Sequence, residues 1–134
     1  MKPIRLSLLM ILLLAFGCED PLSCIIPREP ELPNKTFPNA TVDIFYSESL
    51  DAEINNEPRD NDYDYYYEVR GLPEGLEAYA DFRTLTIEGT PVEAGTFRIK
   101  VYLDVDGPFR DFPQDDTPLL CSYTTSKSYL IIVE

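Results

Sequence analysis

A chain without a single histidine has few routes to catalysis. That absence removes Ser-His-Asp and Cys-His nucleophiles and every histidine-containing zinc site. What remains for catalysis is 24 carboxylates, nine tyrosines and four lysines, and the three cysteines are Cys18, Cys24 and Cys121. Two carboxylates flanking one bond could act as acid and base, but no spacing here places two of them in one cleft. Neither Cys24 nor Cys121 has a metal-ligating neighbour at zinc-site spacing. Asp60, Asp62 and Asp64, with Asp104, Asp106, Asp111, Asp115 and Asp116, supply the hard oxygen donors that calcium prefers, if loops bring them together. Asp104-Val105-Asp106-Gly107 matches the start of a calcium loop. Phe109 then stands where such a loop needs glycine, and Asp115 where it needs glutamate. The residues therefore imply no resident cofactor, with Ca2+ as the one metal whose ligand chemistry is present.

Contact chemistry is better supplied. Tyr63, Tyr65, Tyr67 and Val69 share one face of an alternating stretch, which leaves Tyr66 on the other. Tyr102 lies on the outward side of a second alternating stretch, and an exposed tyrosine on a sheet can bind sugar or protein. The segment Asp106–Pro118 is polar, rich in Asp and Pro, and carries Phe109 and Phe112 with no periodic strand to bury them. Long loops in small domains often carry recognition. Tyr66, Tyr102, Phe109 and Phe112 are the candidate partner-binding residues.

Charge narrows the partner. The net charge is −13, from 24 acidic and 11 basic residues. The sequence shows no basic patch and no glycine-rich phosphate loop, so nucleic acid is not expected as a partner. A cationic partner, or simple solubility, fits such a surface.

The N-terminus sets the address. Met1-Lys2-Pro3-Ile4-Arg5 is a short basic head, and Leu6–Phe16 is an almost unbroken apolar run ahead of Gly17 and Cys18. That is the plan of a signal peptide, and the run is shorter than the roughly 20 residues a spanning helix needs. Leu14-Ala15-Phe16-Gly17-Cys18 resembles the lipobox of bacterial lipoproteins, which implies that Cys18 is acylated and becomes the mature N-terminus. Ala15-Phe16-Gly17 also fits the small-x-small site of a secreted protein cut at the same bond. With Cys18 acylated, Cys24 and Cys121 are left to pair; otherwise one thiol is unmatched in an oxidising compartment. Two independent thiols are the alternative. The resemblance implies a lipid-anchored protein of the bacterial cell envelope, facing the periplasm or the outside, with the membrane as one partner.

The elements that must position these residues are strands. Residues 1–17 read as signal peptide and 18–36 as an acylated N-terminus with a Pro-rich, extended linker. Within that linker Cys24 and Ile25-Ile26 interrupt the pattern and could dock on the domain. Residues 37–134 read as one domain. Alternation predicts strands at Thr41–Tyr46 (Val42, Ile44 and Tyr46 on one face), Asp62–Arg70, Thr84–Glu88 and Thr96–Val105. Ser122–Thr125 and Lys127–Val133 supply a last pair or one bent strand. No window reads as a helix. Short strands punctuated by Gly and Pro indicate an all-β, antiparallel β-sandwich.

Gly71-Leu72-Pro73-Glu74-Gly75-Leu76, then Leu85-Thr86-Ile87-Glu88-Gly89-Thr90-Pro91, then Ala94-Gly95-Thr96-Phe97 with Ile99 and Val101, carry a resemblance. In this order they resemble the immunoglobulin-like (cadherin-like) module of bacterial surface proteins, over Phe37 to Glu134. The resemblance implies an immunoglobulin-like sandwich of about seven strands and a role in adhesion, display or assembly. The expected function is a membrane-anchored, non-enzymatic module contacting a protein or glycan at the cell envelope. The alternative is an acidic inhibitor or immunity-type lipoprotein that neutralises a cationic toxin or hydrolase by electrostatic steering.

Overall fold

In the computed structural model, which describes residues 24–108 and 120–134, sequence alternation becomes burial on strands. These run Pro30–Glu31 (β1), Tyr46–Asp51 (β2), Glu53–Ile54 (β3), Asp64–Arg70 (β4), Leu76–Asp81 (β5), Thr84–Gly89 (β6), Gly95–Asp106 (β7) and Thr124–Val133 (β8). A 3-10 turn at Asp60–Asp62 is the one helical element among the described residues. Two antiparallel three-stranded sheets, ordered β2-β6-β5 and β4-β7-β8, face each other, and β1 pairs with β3 beside them. The connectivity is that of an immunoglobulin-like sandwich, with β2, β5 and β6 as strands B, D and E and β4, β7 and β8 as C, F and G.

The core lies between the sheets. Ile99, Val101 and Leu103 on β7, Ile131 on β8 and Ile87 on β6 are fully buried, and Tyr63 just ahead of β4 joins them. Each such aliphatic side chain contributes about 1.5–3 kcal/mol relative to exposure. The cystine that joins strands B and F in antibody domains has no counterpart here, since neither β2 nor β7 carries cysteine. The disulfide instead ties Cys24, ahead of β1, to Cys121, just before β8, with Cα atoms 5.8 Å apart.

Gly71–Leu76 and Gly89–Pro91 meet at the opposite end of the sandwich. Gly75 (φ 91°) and Gly89 (φ 139°) let two backbones meet there: a Cβ on Gly75 would lie 2.0 Å from the Thr90 carbonyl oxygen. A Cβ on Gly89 would lie 2.1 Å from that of Gly75. Thr90 donates its N–H to the Gly75 carbonyl at 2.9 Å, and Pro73 and Pro91 are fully buried beside this junction.

Four local expectations are corrected. Thr41–Tyr46 is not a strand: Asp43 turns at φ 62°, its N–H reaching the Pro91 carbonyl, and Ile44 and Phe45 are left exposed. The chain there crosses between sheets. Ala40 bridges in parallel to Val133 before the turn, and β2 begins only at Tyr46. The strand expected from Asp62 starts at Asp64, after the 3-10 turn. β5 occupies residues 76–81, where alternation predicts no strand, and of the two alternatives for the last segment β8 is one strand from Thr124. Finally, the Pro-rich stretch contributes to the core. Leu32 is fully buried, β1 pairs with β3, and Lys127 Nζ and Tyr129 Oη donate to the carbonyls of Leu32 (2.5 Å) and Pro33 (2.8 Å).

Candidate interaction surface

The register of β4, β7 and β8 decides what their outer face displays. Tyr66 lies opposite Asp104, Glu68 opposite Tyr102, and Arg70 opposite Lys100. On the far side of β7, Tyr102 lies opposite Ser126, Lys100 opposite Ser128 and Arg98 opposite Leu130. These residues point away from the core because their neighbours Tyr65, Val101, Leu103, Tyr129 and Ile131 point into it.

Tyr102 has two cations against its ring. The Arg70 guanidinium carbon lies 5.1 Å and Lys100 Nζ 4.8 Å from its ring centroid, both within cation–π range. Arg70 Nε also donates to Glu68 Oε1 at 2.6 Å, an exposed pair that raises the arginine's pKa mainly through this hydrogen bond. Tyr66 stands free beside them, 55% exposed. Towards the Cys24–Cys121 end the same face turns acidic, with Asp64 directly across from Asp106 and Asp104 next along β7. Towards the other end it is basic, with Arg70, Lys100 and Arg98. A basic patch therefore exists, contrary to the expectation from sequence. It is assembled by register from residues on two strands.

The outer face of the other sheet has different chemistry. Ser47, Glu88 and Glu77 form one row, Ser49, Thr86 and Tyr79 the next, and Asp51, Thr84 and Asp81 the third. Glu77 accepts a hydrogen bond from the Tyr79 hydroxyl, and this, ahead of the carboxylate's charge, raises the tyrosine's pKa. No lysine or arginine stands in these rows.

A third feature is an open cleft of about 800 Å³ at the Cys24 end, lined by Ile25, Ile26, Arg28, Ile54, Glu57 and Asp60 among others. Glu57 is buried there, 3.7 Å from Arg28 Nη1, with its second oxygen accepting the Arg59 N–H at 3.1 Å. Asp60 is tied to Arg83 at 2.5 Å, which also orders the Phe82-Arg83 turn between β5 and β6.

Tyr66 and Tyr102 both lie on the outward sides of their strands, strand pairing places them on one face, and Cys24 and Cys121 are paired. Cys18, Phe109 and Phe112 lie outside the described residues, as do Asp111, Asp115 and Asp116 of the calcium set. Among the described residues no group of three or more His, Cys, Asp or Glu side chains is placed to hold a metal ion. Sequence reasoning missed Arg70 and Lys100 as neighbours of Tyr102. The alternation Arg98-x-Lys100-x-Tyr102 signals a shared face, but Arg70 joins only through strand pairing.

No family model and no curated protein matches the sequence. Solved structures do match in shape. An endo-fucoidan hydrolase of glycoside hydrolase family 107 superposes with a TM-score of 0.55 at 17% identity, over 81% of this chain and 14% of that one. A variant of the same enzyme gives 0.53 at 18% identity, over 78% and 13%. The likeness is one of fold. The chain spans only 14% of the hydrolase's length. Titin domain M7 is covered over 97% of its length, at 11% identity and a TM-score of 0.46.

Proposed function

We propose that this chain is a non-enzymatic, immunoglobulin-like module, held at the bacterial cell envelope by lipid on Cys18, that contacts a protein or glycan through the outer face of β4, β7 and β8. The observation that carries this reading is Tyr102 with Arg70 and Lys100 both within cation–π range of its ring, and Tyr66 exposed alongside. Tyrosine and arginine dominate interface hot spots because they bring large, pre-ordered contact area with polar tips. A ring whose cationic neighbours already hold it loses little side-chain freedom on binding. The same face offers cations to anionic groups of a partner, against a chain whose net charge is −13. The lipobox resemblance at Leu14–Cys18 supports the anchor.

Two measurements test the two halves. Metabolic labelling with a clickable fatty acid should mark the wild-type chain and not Cys18→Ser; equal labelling of both would remove the anchor. Pulldown from native membranes with wild type and with Tyr66→Ala/Tyr102→Ala tests the contact face. Recovery of the same partners at the same yield by the double variant would remove it.

The second reading, an acidic inhibitor of a cationic protein, is favoured by one observation: the rows of Glu77, Glu88, Asp51 and Asp81 on the opposite face. Salt separates the two. A charge-steered inhibitor loses association rate steeply as ionic strength rises, whereas a contact anchored chiefly on two tyrosines loses far less.

A further inference from the structure

We infer that the Cys24 end of the domain rests on the lipid bilayer, with Ile25 and Ile26 seated among the headgroups. This inference depends on the acylation of Cys18 proposed above. Ile25 and Ile26 are 68% and 65% exposed, matched among the described large apolar side chains by Phe45 at 65% alone. They sit on a braced segment. Cys24 is bonded to Cys121, the Cys121 N–H reaches the Arg28 carbonyl at 2.7 Å, and Asn56 Nδ2 donates to the Pro27 carbonyl at 2.8 Å. Asn55 N–H adds a bond to the Glu29 carbonyl at 2.9 Å. Two adjacent isoleucines are therefore presented outward on a fixed platform.

The length of chain to the anchor names the occupant. Only residues 19–23 separate Cys18 from Cys24. Even fully extended, six residue steps span no more than about 22 Å. An acylated Cys18 would keep this end of the sandwich within that distance of the membrane surface, while the end bearing Pro73, Val92 and Ile44 points away. Glu53, Glu57 and Asp60 line the cleft next to the isoleucines and outnumber its one cation, Arg28. Their charge disfavours anionic headgroups, so the surface fits a zwitterionic one.

The chain contains no tryptophan, which makes a single introduced one a clean reporter. Ile26→Trp and, separately, Ile25→Trp replace exposed side chains; Val92→Trp, also at an exposed position, reports on the opposite end. Each full-length, membrane-processed variant is reconstituted into phosphatidylcholine vesicles with or without brominated acyl chains, and flotation is recorded alongside fluorescence. The expected result is flotation of all three, with blue-shifted emission quenched by brominated lipid at 25 and 26 and no quenching at 92. Flotation with emission at 25 and 26 as unquenched as at 92 would overturn the docking while leaving the anchor standing. Failure of all three to float would overturn the anchor itself, and the docking with it.

Discussion

The backbone N–H of Cys121 reaches the carbonyl of Arg28 at 2.7 Å, next to the disulfide that joins Cys121 to Cys24. One covalent and one hydrogen bond thus close the chain's N-terminal segment onto the residues that lead into β8. The bridge spans 97 residues. In the chain-entropy model a loop of that size restricts the unfolded state by up to about 4.7 kcal/mol. Cys24→Ser/Cys121→Ser should therefore lose about 2–5 kcal/mol of unfolding free energy. Urea denaturation of the oxidised wild type and the double variant measures it, and coincident curves would contradict it.

The glycines at the other end should separate sharply. Gly75→Ala and Gly89→Ala place a Cβ about 2 Å from backbone oxygen at positive φ, where neither partner can move cheaply. Each should cost at least about 2 kcal/mol. Gly95 has ordinary φ, and its Cβ would meet only the Phe97 ring at 3.1 Å, so Gly95→Ala should stay within about 1 kcal/mol of wild type. Thermal melts of the three variants check the contrast, and equal losses at all three positions would refute it.

How much of this was legible in the sequence follows from where side-chain alternation decides structure. Phe97, Ile99, Val101, Leu103 and Val105 announce β7 because a long strand buried on one face must alternate. Thr41–Tyr46 alternates as well, but Asp43 adopts positive φ to carry the chain between sheets, and no residue type there forbids a strand. β5 escaped notice because Ala78 and Ala80 give an edge strand little apolar contrast. Leu32 is one apolar residue among prolines, and its burial depends on β8 lying beside it. The basic patch around Tyr102 needs the pairing of Arg70 with Lys100, which is long-range register rather than local pattern.

Alkali should unfold the protein cooperatively. Burial is the first cause that raises the Tyr46 and Tyr129 hydroxyls from 10.0 to about 12, with Glu48 adding to the former. Burial likewise leads in pushing Tyr65 and Tyr67 upward. A folded pKa above the unfolded one means the unfolded chain loses its protons first. The stability these groups contribute is complete below pH ~10 and is lost as pH rises towards ~12. Urea midpoints should hold steady up to pH 9 and fall steeply above 10, with the buried rings' share of the tyrosinate absorbance at 295 nm appearing together with unfolding. Full tyrosinate absorbance in a still-folded protein would contradict the burial.

Asp64 and Asp106 face each other across β4 and β7, and like charges so placed repel. Asp64→Asn should raise stability by up to about 1 kcal/mol, more at low ionic strength than at high. Asp64 is chosen because Asp106 already accepts the Gly107 N–H at 2.9 Å. A loss of stability at low salt would mean that the two carboxylates share a cation.

The binding face has its own graded expectation. If Tyr102 is the anchor, Tyr102→Ala should weaken partner binding by at least about 2 kcal/mol, roughly 30-fold. Tyr102→Phe should lose far less, because the ring and its contacts with Arg70 and Lys100 remain. Surface plasmon resonance on the isolated partner reads both, and equal losses would place the binding energy in the hydroxyl rather than in the stacked ring.

The most direct test of the central claim is site-specific photo-crosslinking in intact cells, with p-benzoylphenylalanine at Tyr66 on one face and at Tyr79 on the other. The account predicts a discrete adduct from position 66, diminished when Tyr102→Ala is combined with it, and none from position 79. Adducts from position 79 alone, among the acidic rows, would contradict it.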